Sequence, residues 1–380
     1  MKKYIKIALF LFLTGIIFIN FISFHYRDNE ILRLKADLGI ASAQAELGQL
    51  YHDGKFKYED PHLANKWFRR AAKQGHAKAQ YNMGLIYNEG DGLMRNTGEA
   101  IKWFKLAAEQ GVTPAQYNLA IIYYNGYAVA QDKAEAIKWF KRAAEQGATE
   151  AQYKLGLIYF KGDGVPRDRD EAIKWYKMAA EQGDANAQYN MALMYDGHHG
   201  IGDNNIEAIK WMRLAAEQGI VEAQYQLARL YDGASSIPED EVKALKWYKI
   251  AAEHGHAEAQ FKLSVKYEYG YGVEKNMDEA VKLLRLAAPA LGNTHYQYRL
   301  ASMYYNGNGV KQDKKEAARW FIMAASSNDV IAQVRLGRMY LVGDGVNQDT
   351  YEAIKWYQMA ATQGDQEAIE ALQNIKQSLN

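Results

Sequence analysis

A repeat of 36 residues limits the fold of this chain more than any other feature of its sequence. One glutamine marks the same place in each copy, at Gln44, Gln80, Gln116, Gln152, Gln188, Gln224, Gln260, Gln297 and Gln333. Only the step from Gln260 to Gln297 differs, with 37 residues. All eight tryptophans keep the same spacing, and Leu283 stands where a ninth would fall. The pattern indicates nine copies of one supersecondary unit stacked in an array.

Each repeat predicts two helices. In the repeat that contains Gln152, the first helix has an apolar face at spacings of three and four residues, formed by Ala151, Leu155, Gly156 and Tyr159. The small residue beside the leucine would let a neighbouring helix approach closely. The second helix has its own buried stripe, formed by Ala172, Trp175, Ala179 and Ala180.

The ends of the second helix are marked by capping residues. Asp168 and Glu171 have the spacing of a capping box, and Gly183 ends the helix where a left-handed conformation is expected. The eighth repeat has Asn328 in place of this glycine, and asparagine is the next-best residue for that conformation. The fold predicted from these signals is all-α.

Three motifs carry a resemblance to a known family. They are Ala-x-Ala-x-x-x-Leu-Gly-x-x-Tyr, Gly-x-Gly-Val-x-x-Asp and Ala-x-x-Trp-x-x-x-Ala-Ala-x-x-Gly, and they recur over residues 38–366. The chain resembles the Sel-one-like repeat (SLR) family, a relative of the tetratricopeptide repeat. The resemblance implies an α-solenoid that forms a right-handed superhelix with the first helices on its concave side. It also implies an adaptor or scaffold for protein complexes.

These observations predict an array of nine helix–loop–helix repeats over 38–364 and a capping helix over 365–380. The seventh repeat breaks the pattern, because Leu283 replaces tryptophan, Pro289 enters the end of the second helix and one residue is inserted. We expect a kink or weak joint near 283–295. The alternative is a tolerated irregularity that changes the superhelical angle slightly.

The N-terminus predicts a signal-anchor. Lys2, Lys3 and Lys6 precede an apolar run over 7–24, which as a helix would span about 27 Å, close to the hydrocarbon thickness of a bilayer. A cleaved signal peptide would have a shorter apolar region and small residues before the cut. The segments expected are a cytoplasmic tail (1–6), a transmembrane helix (7–24) and a linker (25–37). The lysines predict that the tail stays on the cytoplasmic side of a bacterial inner membrane and that the repeats lie in the periplasm. The alternative is secretion.

Composition excludes several classes of partner and site. A net charge of +1 gives no reason to expect a nucleic-acid partner. The absence of cysteine excludes disulfides and thiolate metal sites.

The predicted partner is a protein or peptide bound in the groove of the first helices. Residues one, five and eight places after each glutamine face this groove in the predicted array. In the third and fourth repeats they are apolar or aromatic, namely Tyr117, Ile121, Tyr124, Tyr153, Leu157 and Phe160. Towards the C-terminus, Arg299, Arg335 and Arg338 could bind acidic residues. The alternative is that the first-position aromatics only pack between successive first helices. Tyr124 and Phe160 lie at helix ends, where looser contacts are expected.

The sequence predicts no enzyme, no cofactor and no metal site. His198-His199 and the pair His254 and His256 lack carboxylates at ligand spacing, so they are interpreted as solvated loop residues. The loop Gly162-Asp163-Gly164 lacks the lysine and hydroxyl of a phosphate loop, and its recurrence indicates a structural turn. An alternative function is binding or hydrolysis of cell-wall fragments.

Overall fold

The computed structural model describes residues 29–55, 60–195, 204–234, 240–290 and 293–379. The expected cytoplasmic tail and signal-anchor lie outside these ranges, as do the first residues of the linker and His198-His199. In the ranges that are described, no helix is both long enough and apolar enough to cross a membrane.

The described residues form helices and turns, and none of them belongs to a strand. Internal contacts divide the chain into two compact halves, one up to Ala187 and one from Gln188 onwards. The N-terminal half contains α1 (29–37), α2 (Ala41–His52), α3 (Pro61–Lys73), α4 (Ala77–Glu89), α5 (Thr97–Glu109), α6 (Thr113–Asn125), α7 (Lys133–Glu145), α8 (Thr149–Lys161) and α9 (Arg169–Glu181).

The division falls within α10 (Ala185–Tyr195). The C-terminal half continues with α11 (Asn205–Glu217), α12 (Val221–Arg229), α13 (Glu241–Glu253), α14 (Ala257–Tyr269), α15 (Met277–Ala287), α16 (Thr294–Asn306), α17 (Lys314–Ser326), α18 (Val330–Val342), α19 (Thr350–Thr362) and α20 (Gln366–Leu379). A π-helical turn, Leu230–Ala234, follows α12. From α2 to α19, each repeat is one even-numbered helix followed by one odd-numbered helix.

The helix ends form where the capping residues predicted them. The side chain of Asp168 accepts a hydrogen bond from the backbone N–H of Glu171 at 3.0 Å, which satisfies a free amide of the first turn of α9. At the end of α17, Asn328 takes the left-handed conformation with φ 70°. The prediction that asparagine replaces glycine there for conformational reasons is confirmed.

The two helices of a repeat touch most closely at the small residue of the first helix. A Cβ atom added to Gly156 would lie 2.5 Å from the ring of Tyr176 in α9. Gly84 has the same relation to Phe104 in α5. The predicted close approach is confirmed, and its partner is the second helix of the same repeat.

A ladder of buried glutamines joins the repeats. Gln152 in α8 is 1% exposed, and its side-chain amide donates to the carbonyl of Ala144 in α7 at 3.0 Å. Its carbonyl oxygen accepts from Gln182, at the end of α9, at 2.6 Å. Gln80 and Gln116 make the same two bonds. The marker residue of the sequence therefore ties each first helix to the second helices before and after it.

Helices close both ends of the described array. The side chain of Gln44 donates to the carbonyl of Ala36 in α1 at 2.9 Å, so α1 takes the place of a preceding second helix. At the other end, Ala368 and Ile375 of α20 are buried in a cluster with Tyr357. The described part of the expected linker is thus a docked helix.

The seventh repeat is irregular, as predicted, but its second helix does not contain the proline. α15 ends at Ala287, two residues before Pro289, and has 11 residues where the other second helices have 13. Ending the helix avoids the clash of the proline ring with the preceding turn. In the eighth repeat, the carbonyl oxygen of Gln297 is buried without a hydrogen-bond partner among the described atoms. Ser327 occupies the place from which a glutamine donates in six of the other repeats.

Candidate partner-binding surface

The first-helix face consists of the side chains one, two, five and eight places after each ladder glutamine. In the third and fourth repeats Tyr117, Ile121, Tyr153 and Leu157 are all half-buried on this face. Their aliphatic and aromatic surfaces are therefore partly open to a ligand.

The first-position tyrosines pack against the second helix of their own repeat. The ring of Tyr117 meets Phe140 edge-on at 5.8 Å, and Tyr153 meets Tyr176 at 6.0 Å. These two contacts lie within one repeat, whereas Phe261 stacks on Tyr296 of the next first helix at 4.2 Å, as the sequence alternative expected. The rings of Tyr117 and Tyr153 each keep one side in the fold and show part of their surface on the first-helix face.

Tyr124 is not loosely packed, contrary to the expectation for a helix end. Its hydroxyl donates to Asp163 in the loop of the next repeat, and Lys133 binds the same carboxylate at 2.5 Å. The amine of Lys154 lies 4.9 Å from the centre of the tyrosine ring. Burial and the bond to Asp163 raise the pKa of Tyr124 to about 12. Phe160, the other residue at a helix end, has the guanidinium of Arg167 5.2 Å from its ring.

The same arrangement, which we call the clasp, occurs again in the eighth and ninth repeats. There Tyr305 donates to Asp344, Lys314 binds Asp344 at 2.8 Å, and Arg335 lies 4.2 Å from the ring of Tyr305. In both clasps the lysine bond holds the pKa of the aspartate below its ordinary value. The Gly-Asp-Gly loop is thus the structural turn that its recurrence indicated, and its aspartate binds the preceding repeat.

The three arginines do not form one free basic patch. Arg299 is paired with Glu268 at 2.6 Å, Arg338 pairs with Glu367 of α20, and Arg335 covers Tyr305. Arg335 and Arg299 stand two places after their ladder glutamines, as Lys154 does. In each case the side chain at this second position contacts the side chain at the eighth position of the preceding repeat.

A groove between the first helices of the first two repeats was not predicted from the sequence. Two adjoining cavities of about 240 and 260 Å³ share Gln49 and Asn82 in their walls. The groove opens where Ala45 stands in the position that tyrosine takes in most other repeats. Its further lining residues are Ser42, Glu46, His52, Phe68, His76, Lys78, Ala79, Leu85, Ile86, Glu89 and Asp91. The exception at Ala45 is the signal that could have predicted it.

The groove is mainly acidic at its rim. Glu46 and Glu89 are exposed, and Asp91 lies 3.8 Å from the ring of His52. Beside it, hydrogen bonds from Lys55 above all, and from Gln49, lower the pKa of Asp53 to about 2. Asp53 therefore stays ionised at neutral pH, and the acidic rim of the groove favours basic groups on a ligand.

His254 and His256 both make structural contacts, although His254 is exposed in its turn, as the sequence indicated. His254 lies 2.8 Å from the side-chain oxygen of Gln224 and so replaces a ladder glutamine. His256 accepts from the backbone N–H of Ala259, stacks on Tyr225 and lies 3.1 Å from Glu222. Among the residues with described positions, no group of three or more histidine, aspartate or glutamate side chains is placed to hold a metal ion.

The profile of the Sel1 repeat matches nine segments, which are 41–76, 77–112, 113–147, 149–184, 185–220, 221–256, 257–288, 294–329 and 330–365. The chain belongs to the Sel1-repeat family. This confirms the predicted family, the nine repeats and the all-α solenoid. Sel1-repeat solenoids are generally scaffolds for protein–protein interaction and are typically not enzymes.

Solved structures agree with this membership. The chain is 35% identical to a Sel1 repeat protein from Oxalobacter formigenes, with a TM-score of 0.67 over 82% of this chain and 89% of that one. It is 32% identical to a protective antigen of uropathogenic Escherichia coli that displays an SLR fold, with a TM-score of 0.49 over 93% of this chain and 91% of that one. A search of curated proteins found no match.

Proposed function

We propose that this Sel1-repeat protein is a membrane-anchored scaffold that binds a partner protein on the first-helix face of its first four repeats, outside the cytoplasm. The observation that carries the binding proposal is the change of character along this face. An acidic groove between α2 and α4 is followed by the half-buried apolar side chains of α6 and α8.

These features favour a partner segment that carries both basic and apolar side chains. Basic groups would meet Glu46 and Glu89 in the groove. Apolar side chains would cover Ile121 and Leu157, whose exposed surface is otherwise in contact with water. Tyr124 supports the face through the clasp and is not itself the main contact.

Site-specific photo-crosslinking tests the binding face. A photoreactive residue is placed at Asn82 or Leu157 of the full chain in bacterial cells, and at Leu106 as the control. Leu106 is also an apolar side chain, 43% exposed, but it lies on the second helix α5. We expect discrete crosslinked products from the two first-helix positions and none from Leu106. Products from Leu106 alone would place the partner on another face.

The anchoring proposal rests on Lys2, Lys3 and Lys6 and on the apolar run over 7–24. Fractionation of cells that make the full chain tests it. We expect the protein in the membrane fraction after alkaline washing, with its N-terminus intact. Protein in the medium that begins near residue 25 would show cleavage and secretion instead. This result would leave the binding face to be tested separately.

A further inference from the structure

The second helix of the first repeat has a charge pattern that the other repeats do not share. α3 contains Lys66, Arg69, Arg70 and Lys73 but no aspartate or glutamate. Every other second helix in the described chain contains at least one acidic residue within its bounds. The difference lies in specific positions that can be compared between repeats.

Two positions account for the missing acidic residues. α3 has Leu63 and Lys73 where α7 has Glu135 and Glu145. In α7, Lys138 is paired with Glu135 at 2.9 Å, and α5 and α9 contain the same pair. Lys66 is the equivalent of Lys138 and has lost this partner. Among the described residues, no carboxylate lies within 4 Å of the charged groups of Lys66, Arg70 or Lys73.

These cations surround a cavity of about 380 Å³ on the outer side of α3. Its walls include His62, Asn65, Lys66, Arg69, Arg70 and Lys73. Arg69 is oriented by a hydrogen bond to the hydroxyl of Tyr87 at 2.9 Å. Arg70 is oriented by Trp67, whose ring centre lies 4.9 Å from the guanidinium. The basic groups are therefore partly fixed before any ligand binds, which lowers the entropy lost on binding.

Asn65 provides a polar group in the wall of the cavity. It is 4% exposed, and its amide donates to the carbonyl of Asp91 at 2.8 Å. Its own carbonyl oxygen is buried without a partner among the described atoms. The equivalent residues Ile101 and Ile137 are apolar. A buried unpaired acceptor is costly, so a ligand that donates a hydrogen bond here would gain free energy.

We propose that the cavity on α3 binds an extended acidic peptide segment of a protein partner. Carboxylates of the segment bind Lys66, Arg70 and Lys73, and a backbone N–H donates to the carbonyl oxygen of Asn65. These cations follow one another at rises of about 6 and about 4.5 Å along the helix axis. Alternate side chains of an extended strand are spaced by about 6.6 Å, which long lysine and arginine side chains can match. The site is separate from the first-helix face and does not depend on the membrane anchor.

A labelled peptide of eight glutamates is the probe, and its binding to the full chain is measured by fluorescence anisotropy. The test variant, Leu63→Glu with Lys73→Glu, introduces the residues that other repeats have at these places, so the fold should accept them. The matched control is Lys262→Glu with Ile331→Glu, which changes the net charge equally at exposed positions of the C-terminal half.

We expect the octaglutamate to bind the native chain and the control, with affinity that falls as salt is added because the charges are exposed. The test variant should bind about tenfold more weakly or worse, since two positions then repel the ligand. Asn65→Ile should weaken binding by a smaller factor at every salt concentration.

Three results would overturn the proposal. One is octaglutamate bound equally by the native chain and the test variant. Another is the absence of binding to the native chain at low salt. The third is that inorganic phosphate or vesicles of an anionic phospholipid compete for the cavity while octaglutamate does not. A failure of the first-helix crosslinks would leave all of these readouts unchanged, so the two proposals can fail separately.

Discussion

The junction between the third and fourth repeats and the junction between the seventh and eighth use the same positions with different chemistry. At the first, Gln152 has both of its ladder partners, and Tyr124, Lys154 and Asp163 form a clasp. At the second, an ion pair between Glu268 and Arg299 replaces the clasp, and Gln297 keeps an unpaired buried oxygen on the side of its own repeat. α15 is also two residues shorter than α7, so the two junctions differ in one helix end as well as in these polar contacts.

The ladder glutamines should show the largest difference between the two junctions. Gln152→Ala removes the side-chain donor to the carbonyl of Ala144, which still accepts from Gly147, and removes the partner of Gln182, a loss of about 1–3 kcal/mol in unfolding free energy. Gln297→Ala should cost less, because the carbonyl oxygen that it removes already lacks a partner. Urea unfolding followed by circular dichroism measures both. Equal losses would show that the unpaired oxygen of Gln297 does not lower the stability of the native chain.

The clasp should contribute the next largest effect. Tyr124→Phe keeps the ring but removes the hydroxyl that binds Asp163, and we expect a loss of about 1–2 kcal/mol. Tyr127→Phe is the control, because Tyr127 is 58% exposed. A double-mutant cycle with Asp163→Asn isolates the coupling between the two side chains. Additive effects of the two substitutions would mean that the bond adds no stability.

A single substitution should restore the missing ladder bond within the eighth repeat. Ser327→Gln restores the donor that other repeats place opposite the ladder residue, and a bond to Gln297 should add about 1 kcal/mol. Ser327→Glu is nearly the same size but has no N–H to donate, so it should add nothing. The melting temperatures of both variants are compared with that of the native chain. An equal gain from glutamate would point to helix propensity as the cause.

The smallest expected effect is the pH dependence of the clasp. Hydrogen bonds from Lys133 and then Tyr124 lower the pKa of Asp163 below its ordinary 3.8. A lowered folded-state pKa means that the stabilisation is present above that ordinary value and is lost as the pH falls through the lowered one. The difference in melting temperature between the native chain and Asp163→Asn should be constant near neutral pH and shrink below about pH 4. A difference that persisted at the lowest pH would assign it to something other than this charge.

The fold could be predicted from sequence because the repeat period, the apolar spacing and the capping residues all indicated the same structure. The period, the caps such as Asp168 and the exchange of glycine for Asn328 all describe the same pair of helices. The end of α15 before Pro289 was harder to predict, because proline can kink a helix or end it. Which of these happens depends on local contacts that a single sequence does not show.

The candidate surface was only partly predictable. Ile121 and Leu157 lie on the face that the spacing assigned to them. The role of Tyr124 was missed because its partner Asp163 is 39 residues away and the contact exists only after two repeats have stacked. Arg299 was predicted to be free because the contact between the second and eighth positions of neighbouring repeats forms only in the tertiary structure. The groove was detectable from Ala45, because the equivalent residues of the other repeats are aromatic except for Val334.

The glutamine ladder has a consequence for how such a gene can change in length. Within the N-terminal half each ladder residue bonds eight residues back and accepts from thirty residues ahead. A recombination event there that removes or adds one whole period recreates the same bonds across the new boundary. An event whose length is not a whole number of periods would leave buried amides unpaired, and we expect selection against it. An event that spans the 37-residue step before Gln297 does not restore the same spacing. We therefore expect related proteins to differ in the number of repeats before this step more often than in the repeats that span it.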